Sequence, residues 1–138
     1  MIRTILRWVL ALFYGAAGVI HLARPAPFLT IMPPWVPAPE LVVQLTGIAE
    51  LAGAIGLLQP WSLALRRAAG WGLAAYALCV WPANFQHLLN DLARPGGGLG
   101  LSYHVPRLAF QPVLIWLALW VSAATDWPWA RRGARAGE

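Results

Sequence analysis

The sequence predicts an all-α integral membrane protein: a four-helix bundle with both termini in the cytoplasm and a proline-rich interfacial segment between helices one and two. Three observations carry that expectation. Apolar residues make up 59% of the 138 positions and charged residues 11%, with a mean hydropathy of +0.60, so there are too few charges to cover a soluble globule. The apolar residues are gathered into blocks close to the roughly 20 residues that a helix needs to cross the hydrocarbon core. Nine tryptophans in so short a chain suit the boundary between headgroups and hydrocarbon, where indole rings settle.

The first span is expected at about residues 4–22 (TILRWVLALFYGAAGVIHL). Its flanking Arg3 and Arg7 would also fit a cleaved signal peptide, the competing reading of such a start. Residues 23–40 (ARPAPFLTIMPPWVPAPE) carry six prolines, which oppose a regular helix. Aromatic and apolar residues alternate with those prolines, as in an ordered cap at the membrane surface. A second span is expected at about 41–58, closed by Gln59 and Pro60, and a third at about 68–89, led in by Arg66 and Arg67. The glycine-rich ARPGGGLGLSYH that follows has no phosphate-binding spacing and reads as a connector. A fourth span is expected at about 106–125, then an interfacial WPW and a basic tail, all within a single membrane domain.

The ten cationic residues are all arginine. Placing the termini and the second loop together collects Arg3, Arg7, Arg66, Arg67, Arg131, Arg132 and Arg135 on one side and leaves Arg24, Arg94 and Arg107 on the other. The positive-inside rule then puts the termini in the cytoplasm. These arginines act as topology determinants, so a nucleic-acid partner is not indicated. One cysteine, Cys79, excludes an intrachain disulfide, a CxxC pair or a thiolate metal cluster. Any redox chemistry therefore needs a bound cofactor or a partner chain.

Polar residues inside the blocks fall at helical spacing: Tyr14, Gly18 and His21; Gly47, Glu50 and Gly53; Tyr76, Val80, Asn84, His87 and Asp91; His104, Arg107 and Gln111. Each set forms one stripe of its helix. Facing lipid they would be penalised, so the stripes are expected to turn inward and meet in the outer half of the bundle. Small residues beside them let the backbones approach. Glu50 is the deepest, roughly 13 Å from the outer end of its helix at 1.5 Å per residue. Intramembrane ionisable groups are functional candidates by default. Glu50 and His21 are therefore the candidate catalytic pair, exchanging protons. Asn84, His87, Arg107, Gln111 and Tyr14 are the candidate ligand-binding residues, with Arg107 and the amides holding carbonyl or anionic oxygens. The opposing reading is structural: such groups also simply hydrogen-bond across a bundle, at about 1 kcal/mol per pair. His104, near the loop, reads as a solvated or capping residue. His21, Glu50 and His87 could hold a divalent metal, but without a metal-binding spacing such as HExxH. No Ser-His-Asp or Cys-His set is readable.

Along nearly the whole chain, GVIH with Pro25 and Phe28, PPWVPAP, GIAELAG, Pro60, RRAAG, WPANFQH and RLAFQPVLIW follow in an order that resembles the DoxX-like family of small four-helix bacterial membrane proteins. The resemblance implies a multi-pass protein of the bacterial inner membrane. It also implies a redox-linked role, in membrane-bound oxidation of sulfur compounds coupled to quinone or in complexes that handle thiol and oxidative stress. Its polar positions correspond to His21, Glu50, Asn84, Arg107 and Gln111; His87 stands where many relatives carry an aromatic or apolar residue. The expected partners are the lipid bilayer and a small-molecule ligand such as a quinone or sulfur compound. A separate catalytic subunit of a membrane-bound oxidoreductase and a second copy of the chain complete the set. A carrier without chemistry and a structural subunit of a membrane complex are the alternative functions.

Overall fold

The computed structural model describes residues 1–129, and the arginines of the basic tail, Arg131, Arg132 and Arg135, lie outside the described residues. Among the described residues there are five helices and no strand: α1 (Ile2–Ala23), α2 (Ala26–Leu29), α3 (Pro39–Leu58), α4 (Leu63–Leu92) and α5 (Leu101–Val121). Three of these, α1, α3 and α5, are long and apolar enough to cross a membrane. The 30-residue α4 is outside that group: Arg66 and Arg67 stand at its start and Asn84, Gln86, His87, Asn90 and Asp91 along its second half.

The long helices alternate in direction. Gly18 meets Gly47 between α1 and α3, Gly53 meets Leu73 between α3 and α4, and Gly70 meets Ser122 between α4 and α5. Arg3 closes the circle by donating to the Trp120 carbonyl at 2.6 Å and to the Thr125 carbonyl and Asp126 carboxylate, each at 2.8 Å. Arg67 at the start of α4 donates to the Ala123 carbonyl at 3.0 Å. Arg3 and Arg67 therefore sit at the same end of the helices. The apolar core lies toward that end, built from Leu10, Ala11, Tyr14, Ala54, Leu57, Leu73, Ala74, Ala118 and Val121. The opposite half carries the buried Glu50, Asp91, His104 and Gln111.

Three elements depart most from the sequence reading, each for a local reason. The proline-rich segment does contain a helix, the single turn α2. Pro25 at its cap and Pro27 in its first turn replace only N–H groups that have no helical partner there. Helix α4 begins earlier than expected because the Ser62 hydroxyl accepts the Leu65 N–H at 3.2 Å and caps it. Helix α5 spans Leu101–Val121 rather than 106–125. It starts from a turn in which Gly100 has φ +77° and ends where Ala123 turns left-handed at φ +66°. Pro106 and Pro112 thus lie inside it.

Candidate functional site

Close approach of α1 and α3 creates the first part of the site. A Cβ on Gly18 would stand 2.7 Å from the Gly47 carbonyl oxygen, and one on Gly47 would stand 2.9 Å from Cβ of His21. Only glycine at both positions lets the helices come this near, and the contact carries His21 over Glu50. The carboxyl of Glu50 is 3% exposed. Its Oε1 accepts the Tyr76 hydroxyl at 2.6 Å. His21 Nδ1 stands 2.7 Å from Oε2 and 3.0 Å from the Ala17 carbonyl oxygen. Since a carbonyl only accepts, Nδ1 carries the proton in this geometry and donates it to Ala17, so Glu50 Oε2 stands beside the imidazole without a hydrogen-bond partner of its own. Phe28, from α2, stacks on the His21 ring with centroids 3.7 Å apart, fixing the imidazole from the far side. Tyr14 packs edge-on against Tyr76, and its buried hydroxyl has no hydrogen-bond partner.

Helices α4 and α5 supply the second part. Asn84 donates to the Gln111 side-chain oxygen at 3.3 Å, and the Gln111 amide donates to the Ala77 carbonyl. Arg107 donates to His87 Nδ1 at 2.9 Å and lies over the Tyr103 ring.

Between the two parts lies a cavity of about 560 Å³. Tyr14, His21, Glu50, Asn84, Arg107 and Gln111 all line it, alongside Tyr76 and Cys79. Most of the remaining wall is apolar, and Phe28, Ile31, Met32, Pro33, Trp35 and Val36 of the proline-rich segment contribute one side. This is the size and character of a small-molecule site: an apolar enclosure with a few convergent polar groups.

Two expectations need correction. The four stripes do not meet in one cluster. His87 is outside the cavity wall, held by Arg107 on one nitrogen, with its Nε2 3.8 Å from Asp91 Oδ2. The trio His21, Glu50 and His87 therefore does not converge on a metal. Nor is His104 a solvated residue: it is 1% exposed, and its Nε2 donates to Asp91 Oδ2 at 2.9 Å. The same oxygen accepts the Leu99 N–H, so Asp91 also latches the glycine-rich loop. Tyr76 and Phe28 were missed as site residues. Tyr76 lay on the same stripe as Asn84, which was the available signal; nothing in the sequence indicated that Phe28 would stack on His21.

The family model described as "Domain of unknown function (DUF8561)" matches residues 10–122. No curated protein and no solved structure matches the chain.

Proposed function

The chain belongs to the DUF8561 family, and from that premise we propose that it is a multi-pass protein of the bacterial inner membrane that binds a lipid-soluble, carbonyl-bearing small molecule of the quinone class in its cavity. The matched segment contains every polar residue of the cavity. In this reading α4 joins α1, α3 and α5 as a spanning helix, making a four-helix membrane bundle with both termini in the cytoplasm. Arg3, Arg66 and Arg67 then face the cytoplasm, and the cavity opens in the outer half. The DoxX-like resemblance supports a redox-linked component, with a quinone or small sulfur compound as the ligand.

One observation carries the reading. A carboxyl that is 3% exposed, bonded by Tyr76 and beside His21, shares a roomy, mostly apolar cavity with an arginine and two amides. Packing alone calls for no such enclosure. Arg107, Asn84 and Gln111 can donate to carbonyl or anionic oxygens of a ligand. Glu50 and His21 can exchange a proton with it, since the imidazole nitrogen stands 2.7 Å from the carboxyl and both groups line the cavity. Electrons must come from another chain or a bound cofactor, because this chain's own side chains include no redox pair. The protein is accordingly a subunit of a membrane-bound oxidoreductase rather than a complete one.

A structural role is favoured by one feature, the Asn84–Gln111–Ala77 hydrogen bonds, which already join the α4 and α5 helices without a ligand. A carrier without chemistry would use the same cavity. Native mass spectrometry of protein extracted gently from its own membrane separates these readings. A quinone or sulfur compound retained by the wild type and lost from Glu50→Gln supports the proposal. An empty, equally stable protein in both forms overturns it and leaves the structural role. A ligand carried without turnover in a reconstituted membrane leaves the carrier.

A further inference from the structure

The second cluster invites a question that the cavity does not answer. Asp91 needs only its carboxylate to latch the glycine-rich loop: Leu99 donates to it, and Gly98 packs so tightly on it that a side chain there would collide with the carboxyl carbon. Yet His87 and His104 are also turned toward that carboxylate. His104 is 1% exposed and its Nδ1 is buried without a partner. A loop latch gives no reason to bury this imidazole and bring a second one to the same carboxylate.

We propose that His87, Asp91 and His104 bind one divalent first-row transition ion of the zinc class. Each offers a ligand atom, and the three atoms lie within 4.8 Å of one another. His104 Nε2 is 2.9 Å from Asp91 Oδ2 and His87 Nε2 is 3.8 Å from it. Tetrahedral ligands at the usual zinc distances stand about 3.4 Å apart, between those two values. His87 and Asp91 are one helical turn apart on α4, so they share a face, and His104 reaches them from α5. Two imidazoles and one carboxylate suit zinc and its neighbours, and a fourth position would stay open for water or a ligand.

Two arginines stand beside the cluster, and neither blocks it. Arg94 contacts Oδ1, the other oxygen, and is 62% exposed, so it can swing into solvent. Arg107 donates to His87 Nδ1, which places the proton of neutral His87 on Nε2. To present Nε2 to an ion, His87 moves that proton to Nδ1, and Arg107 must then release it. His104 makes the same tautomer shift, with no net release of protons. Ion binding is thereby coupled to Arg107, which also lines the cavity. The site itself rests on nothing in the cavity reading.

The test is titration of chelator-stripped, detergent-solubilised full-length protein with Co²⁺, followed by its visible absorption, and with Zn²⁺ by calorimetry. Wild type, His87→Gln, His104→Gln and Glu50→Gln are compared. Glutamine keeps an N–H that can donate to Asp91, and thermal melts check folding. The expected result is one ion per chain, with affinity falling at least 10–100-fold in both histidine variants, the loss that even an outer-shell partner incurs. Glu50→Gln should bind as the wild type does. The proposal is overturned by a wild type that binds less than one equivalent, by histidine variants that bind as tightly, or by loss in Glu50→Gln alone. Should either histidine variant fail to fold, X-ray absorption of the zinc-loaded wild type decides: two imidazoles in the coordination shell support the site, and none or one refutes it.

Discussion

Tyr76 on α4 donates to Oε1 of Glu50 on α3 at 2.6 Å while His21 on α1 stands 2.7 Å from the opposite oxygen, so a single carboxyl ties three helices together. Tyr76→Phe removes one of those ties without changing shape. The expected loss is about 1–2 kcal/mol of stability, with weaker retention of the co-purifying ligand. Denaturation in detergent measures the first and native mass spectrometry the second. Unchanged values in both would show that the bond contributes nothing.

The glycines give a paired prediction. Gly18→Ala places a Cβ 2.7 Å from the backbone oxygen of Gly47, which cannot rotate away. Overpacking of about 1–3 kcal/mol then outweighs the gain of about 1 kcal/mol that alanine brings to a helix. At Gly72 a Cβ would have nothing within 4 Å, so Gly72→Ala should stabilise by about 0.5–1 kcal/mol. Melting temperatures that shift the same way in both variants would contradict the contact between α1 and α3.

Arg107 should not tolerate lysine. Its planar fork holds His87 on one nitrogen while the side chain also lines the cavity, and an ammonium is a single point of charge on a flexible stem. Affinity for a quinone headgroup analogue is expected to fall at least about tenfold in Arg107→Lys, or 1.4 kcal/mol. Fluorescence or calorimetric titration would register this, and an unaltered Kd would remove Arg107 from the binding site.

Cys79 offers a reporter, since it lines the cavity and is accessible. A membrane-permeant maleimide should label it, and a bound quinone analogue should slow that labelling. Equal rates with and without the analogue would place the ligand elsewhere.

Much of this arrangement was readable from residue spacing. Intervals of three and four put Glu50 between Gly47 and Gly53, and His21 in register with Gly18. The demand that polar groups avoid lipid then turned Tyr14, His21, Glu50, Asn84, Arg107 and Gln111 inward, onto what is now a shared cavity wall. His104 was misjudged because Pro106 suggested a helix start two residues beyond it, whereas α5 begins at Leu101. Its partner Asp91 is thirteen positions away across a glycine-rich loop, and no periodicity spans such a loop.

Helical periodicity assigns each residue to a face of its own helix, and hydrophobicity decides which face turns inward. The chain alone therefore dictated helices, polar stripes and their inward direction. Tertiary packing decided how far each helix rotates and slides against its neighbour. The Gly18–Gly47 contact sets that offset for α1 and α3, and the Asp91 latch accompanies it at the α4–α5 end. Those offsets separated the polar residues into a cavity around Glu50 and a second cluster around Asp91. Axial offset depends on close contacts between residues far apart in the chain, so helical spacing within each segment carries no record of it.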